Sequence, residues 1–307
     1  MNQQKKSFFF KIAVAFFALI IFSSDIFAQT TIQNRMNEGN AAFDLGRKSG
    51  KKSDFLRALT IFQEIRKEKE TPYSVQLELQ AKIVATHQAL GQDLEAVLEF
   101  LLLCRTDSSV QFIDEIPLFW SNREMSTANA RLKTLESAIL PWLEPINNPS
   151  QKWNPVGQLL AASVLLFSDQ YRQQAIQILQ NLVVLESPDP ENVQTVEFCR
   201  KISLLATAQL WRQKLIQPTL KESDVDFWQK TLQRFPVSLK YGPYFLIGEG
   251  YRKLKNDKAL DAYLRLAILY PEKRTLAEEA LDKAAKELEQ RGQNRESNLL
   301  RIKLNPK

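Results

Sequence analysis

The chain has 307 residues, 44% of them hydrophobic and 25% charged, the proportions of a folded globular protein rather than a disordered one. Its net charge of +6 is a weak clue to partners. With only 9 Gly, the chain is poor in the turns that sheets and phosphate-cradling loops need, which favours helix packed on helix.

The first 28 residues stand apart. Lys5, Lys6 and Lys11 precede an apolar core from Ile12 to Phe22, and a polar end follows. About twenty apolar residues are needed to span a bilayer, so this core suits a secretory signal instead. Cleavage is expected after Ala28, although Ile26 is larger than the usual residue three positions before a cleaved bond. No Cys follows the apolar core, so the attachment point of a bacterial lipoprotein is not offered there. Removal of Lys5, Lys6, Lys11 and Asp25 takes away a net +2 and leaves +4. The expected location is periplasmic or extracellular, with an uncleaved inner-membrane anchor as the alternative.

From residue 29 to 106 the pattern is helical. Arg47, Lys48, Lys51 and Lys52 form a basic turn between two helices, and Ala58, Phe62 and Ile65 mark an apolar face ahead of Pro72. Thr71 before Pro72 reads as an N-cap preceding a proline at the first helical position. His87, Gly91, Ala96, Phe100 and Leu103 continue the pattern. The stretch 107–152 breaks it: "FIDEIPLFW" and "ILPWLEPINNPSQKWNP" are aromatic, proline-broken and not repeat-like. They are expected to form an irregular insertion, around 107–155, capping one end or face.

Helical periodicity resumes from residue 153 to 307. Asn154-Pro155 reads as another cap. Ala162, Leu166, Ala175, Leu179 and Leu182 then mark a hairpin closing at Pro188. Trp228 and Pro236 lie one repeat ahead of Tyr263 and Pro271. In "GPYFLIGEGYRKLKNDKALDAYLRLAILYPEK", Tyr244, Ile247, Gly248 and Tyr251 share one helical face, and Ala259, Tyr263 and Leu266 share the next. Small Gly248 and Ala259 let the two helices approach closely. Thr275 with Glu278 reads as a capping box, and Gly292 separates two final helices.

Those residues of the 242–273 stretch resemble the tetratricopeptide repeat: a large residue, Leu-Gly, Tyr, then Ala, Tyr and a closing Pro. Leu266 departs from it, since the pattern has Ala there, and the turn is one residue short. Elsewhere the likeness is looser, but it extends over most of the chain. The fold class it implies is all-α: an α-solenoid of about six or seven antiparallel helix hairpins, each burying one face on the next. The final pair is similar to envelope proteins of the Tol-Pal coordinator type and of the outer-membrane-assembly type. That resemblance implies a scaffold for a protein partner in the cell envelope.

The chemistry-bearing residues are sparse. The one His, His87, lies on an apolar helical face, where it reads as a packed residue. Cys104 and Cys199 lie in apolar helices and read as buried thiols, with one bridge as the alternative in an oxidising compartment. No phosphate-binding, nucleophile-elbow or zinc-ligand motif occurs. No catalytic residue, metal or cofactor is therefore expected, and export argues against nucleic acid. Basic turns could make peripheral contact with membrane or cell wall. The five Trp residues read as core. In a tetratricopeptide array the first helix of each hairpin lines the binding groove. With Tyr244, Ile247, Gly248 and Tyr251 on the core, the partner-binding residues are expected to be Phe245, Glu249, Arg252 and Lys253. The alternatives are a glycan- or solute-binding protein using the tryptophans, and an α-helical enzyme with its site near 107–155.

Overall fold

A computed structural model describes residues 31–68, 71–104, 112–124, 132–142 and 155–304. The expected signal segment, 1–28, lies outside these. Every regular element among the described residues is helical: α-helices joined by turns and three short 3-10 segments. No helix among them is long and apolar enough to cross a membrane.

The chain divides into two compact units between Leu79 and Gln80, a point inside one helix. In the first unit, α1 (31–49) and α2 (Lys52–Arg66) form a hairpin, and α3 (Tyr73–Leu90) begins. The aromatics of α2 pack where α1 has glycine. A Cβ on Gly39 would lie 2.4 Å from Phe62, and one on Gly46 would lie 2.9 Å from Phe55. Arg35 ties the hairpin by pairing with Glu64 at 2.8 Å and with Glu68. Thr71 is not an N-cap. Its hydroxyl donates to Ile65 O and Glu68 O at the end of α2, carbonyls that also accept from Glu68 N and Thr71 N, so it closes the turn after α2 instead of capping α3.

The second unit starts with the rest of α3 and continues through α4 (Asp93–Cys104) and α5 (Leu132–Ile139). Then come α6 (Pro155–Leu165), α7 (Arg172–Val183), α8 (Val193–Ile216) and α9 (Glu222–Leu232). The last four are α10 (Tyr241–Lys253), α11 (Lys258–Leu269), α12 (Arg274–Gln290) and α13 (Asn294–Leu304). Within this unit α6 packs on α7, α7 on α8, α9 on α10, α10 on α11, α11 on α12 and α12 on α13. Alternate helices also touch: α6 meets α8, α8 meets α10 and α10 meets α12. The result is two layers, with α6, α8, α10 and α12 in one and α7, α9, α11 and α13 in the other. Sequential hairpin packing of this kind is the arrangement of an all-α solenoid.

The α10–α11 hairpin has the register its spacing predicts. Gly248 lies against the Tyr263 ring, whose nearest atom would be 2.6 Å from a Cβ at that position, and Ala259 is fully buried. Trp211 of α8 stacks on Trp228 of α9 at 5.1 Å and 6°. Three helices end alike, with one residue in the left-handed region and a bond closing back across it: Gly91 (φ 73), Lys255 (φ 55) and Gly292 (φ 75). The closing bonds are Gln92 N to His87 O, Asn256 N to Tyr251 O and Gln293 N to Leu288 O, each 2.9 Å.

Capping departs from expectation at α12. Thr275 and Glu278 do not form a box; Thr275 instead donates to Asp93 Oδ2 at 2.7 Å, and Glu278 pairs with Arg274 and Arg123. Lys273 donates to Gln88 Oε1 at 2.7 Å. The head of α12 thus meets the α3–α4 turn, far away in sequence, and a buried tertiary partner takes the hydroxyl that the local motif would use.

Candidate functional site

The irregular stretch does not sit at the end of the layers. Residues 112–124 run across the face of α8, α10 and α12. Ile113, Ile116, Leu118, Phe119 and Trp120 are all buried. Proline at 117 and the extended backbone after Glu115 leave carbonyls without a ladder. The surrounding helices satisfy them. Tyr241 Oη donates to Ile116 O at 3.0 Å, while Gln209 Nε2 and Arg212 Nη1 donate to Phe119 O at 3.1 and 3.0 Å. Lys201 pairs with Asp114 at 2.8 Å. The Trp120 indole fills the space that Gly242 leaves, 1.9 Å from a Cβ placed there.

A capping box ends the stretch. Ser121 Oγ accepts from Glu124 N, and Glu124 Oε2 accepts from Ser121 N at 2.8 Å and from Trp120 N at 2.6 Å. Burial, helped by the charge of Asp93, pushes the Glu124 carboxyl well above its usual range, against the pull of those two N–H groups. Burial also raises the Tyr241 phenol.

Beside Trp120 the face opens into a cleft of about 540 Å³. Its walls are α8, α10, α12 and the α6–α7 turn. Phe167, Phe245, Leu246 and Ile216 supply apolar surface, and Arg172, Arg212, Arg252, Lys253 and Lys283 supply five cations against the carboxylates of Glu249 and Glu279. All four residues expected to bind a partner line this cleft. Their situations differ. Phe245 is only 3% exposed and forms part of the wall between Tyr263 and Lys283, whereas Tyr244, expected in the core, is half-buried. Position 245 is inward because Tyr263 of α11 and Lys283 of α12 both pack against its ring, at 6.2 and 5.4 Å.

Glu249 accepts from Arg252 at 2.9 Å, from Lys283 at 2.9 Å and from the Tyr263 hydroxyl. Burial pushes its carboxyl up, but the Arg252 hydrogen bond, the Lys283 charge and the Tyr263 hydroxyl together hold it below its ordinary value. Arg252 is thereby oriented at the rim. Lys253 is not a free cation: its ammonium donates at 2.6 Å to both Leu215 O and Gln217 O, capping the C-terminal end of α8.

Arg172, Arg212 and Lys283 were not expected from the sequence, whereas Trp120, read there as core, is buried and also lines the cleft. The Ser-x-x-Glu pattern at 121–124 was a legible signal. So was the polar pair Gln209 and Arg212, one turn apart on the apolar stripe of a helix whose neighbours Leu205, Ala208 and Trp211 are core. Among the other candidates, His87 is buried and its Nδ1 lies 2.7 Å from Gln92 Oε1 across a half-buried turn. Cys104 and Cys199 form no disulfide and are buried, and burial raises both thiols. Trp120, Trp211 and Trp228 are core residues, and Trp153 lies outside the described residues. Among the described residues no three His, Cys, Asp or Glu side chains gather as a metal site. No family model, curated protein or solved structure matches the chain.

Proposed function

We propose that this chain is a non-catalytic, protein-binding scaffold of the cell envelope or periplasm, built on tetratricopeptide-like hairpins. The observation that carries the reading is the way the helical face treats residues 112–121. It grips an extended stretch of chain through that stretch's backbone carbonyls and buries its apolar side chains, which is how a groove holds a peptide. The adjoining cleft, cationic and partly aromatic, continues the same face. Its charge balance suits an acidic partner. The expected export of the chain supports an envelope location. A solute-binding reading is favoured by one observation, a cleft of about 540 Å³, within the size range of small-molecule sites.

The test is capture of envelope proteins by the wild type and by Arg252→Ala. Arg252 is exposed at the rim and pairs with Glu249 of its own helix, so the fold should tolerate its loss. Capture should weaken, and more at low salt than at high salt. Equal capture at every salt concentration would remove this cleft as the partner site.

A further inference from the structure

Arg212 is the most unusual group lining the cleft. It is 9% exposed, and the Phe167 ring lies 3.9 Å from the centre of its guanidinium. One corner is fully engaged: Nη1 donates to Ser163 O at 2.8 Å, Phe119 O at 3.0 Å and Gln209 Oε1 at 2.6 Å. Nε and Nη2, which form the opposite edge, have no hydrogen-bond partner among the described residues. Neither atom is fully enclosed, and Arg212 lines the cleft. The other cations around the cleft are already committed. Arg172 pairs with Asp169, Arg252 with Glu249, and Lys283 with Glu249 and Glu279, while Lys253 holds two carbonyls. Arg212 has no ion pair among the described residues. Glu124 acts on it only through space, and burial draws the guanidinium down to about 9 despite that charge.

We propose that the cleft binds a free carboxylate carried on an apolar body, with Arg212 as its anchor. The inference rests on the binding reading above and names what is bound. Two parallel N–H groups on one edge of a guanidinium match the two oxygens of a planar carboxylate. Phe167 on one face and the backbone bonds at Nη1 hold that edge in place, so little is lost in ordering it on binding. A single negative charge fits better than a phosphate dianion, because Glu249 and Glu279 line the same cleft and would repel the second charge. Phe245, Leu246 and Ile216 supply the apolar surface for the attached body. Two sources carry this chemistry: the C-terminal residue of a peptide, and a short acyl chain ending in a carboxylate.

The experiment uses the whole protein and four probes: N-acetyl-phenylalanine and octanoate, each beside its amide. Calorimetry gives affinity, and the Trp120 indole N–H resonance, assigned with Trp120→Phe, reports occupancy next to Arg212. At least one acid should bind saturably in the millimolar range or better, with its amide at least about tenfold weaker. Tighter binding of the acetylated amino acid assigns the peptide terminus, and tighter binding of octanoate assigns the acyl carboxylate. Arg212→Lys, which keeps the charge and loses the fork, should weaken the acid to the level of its amide. Equal binding of acid and amide, no saturable binding of either acid up to about 10 mM, or full discrimination retained in Arg212→Lys overturns the proposal. If Arg212→Lys does not fold, the acid–amide contrast in the wild type decides alone. That contrast is read without any protein partner. Its failure with salt-dependent capture intact leaves the scaffold reading standing, and the reverse result removes the cleft as a protein-partner site while leaving the carboxylate site.

Discussion

Lys255 shows how a single residue records a compromise. It occupies the left-handed position that Gly91 and Gly292 fill at the equivalent helix ends. A side chain there costs about 1–2 kcal/mol, partly offset by the extra freedom a glycine would lose on folding. Lys255→Gly should therefore stabilise the protein by about 0.5–1 kcal/mol in urea melts. A loss of stability would mean that the lysine side chain makes a compensating contact. The Glu249 cluster makes the opposite kind of statement. Its carboxyl is held below the ordinary value, so the stabilisation is present above the unfolded value near 4.5 and is lost as pH falls through the lower folded value. Glu249→Gln should flatten the acid limb of the stability curve as pH falls below about 4.5. An unaltered acid limb would show that the cluster contributes nothing to acid unfolding.

At the scale of elements, the docking of 112–124 depends on a backbone position with no side chain. Trp120 lies over Gly242, and any Cβ there would overlap the indole. Gly242→Ala should displace Trp120, red-shift its fluorescence and cost about 1–3 kcal/mol, while far-ultraviolet circular dichroism stays nearly constant. Unchanged fluorescence and stability would sink this docking. Lys253 likewise belongs with the structure of α8 rather than with the rim of the cleft. The α8 helix ends at Ile216 with its last carbonyls facing α10, and the ammonium is their partner.

For the whole molecule, the expected export segment governs where any partner is met. If the segment is removed, mass spectrometry of the protein recovered from the envelope should find a chain beginning at Gln29 or within a few residues of it. Intact Met1 in a membrane pellet would instead support the anchor. The boundary between the two compact units falls inside a continuous helix, α3. No proline or glycine interrupts the sequence there, which is why composition gave no boundary at that point.

Helix content, hairpin register and the small residues at helix crossings were legible in the sequence, because each depends on spacing within about one turn or on side-chain size. Gly248 against Tyr263 is such a case: the period of 3.6 residues places it, and only glycine leaves room for the ring. The cleft was half legible. Phe245, Glu249, Arg252 and Lys253 lie on one short helix, so periodicity could group them. It could not tell that Lys253 would be taken by carbonyls contributed 36 and 38 residues earlier, or that Phe245 would turn inward. Tertiary structure alone decided that residues 112–124 lie across the face of α8, α10 and α12, that Thr275 serves Asp93 rather than its own helix, and that Arg212 meets Phe167. Those contacts join residues 45 to 182 positions apart. Their free energy comes from burying polar groups with matched partners, and no local pattern encodes which distant partner will be there.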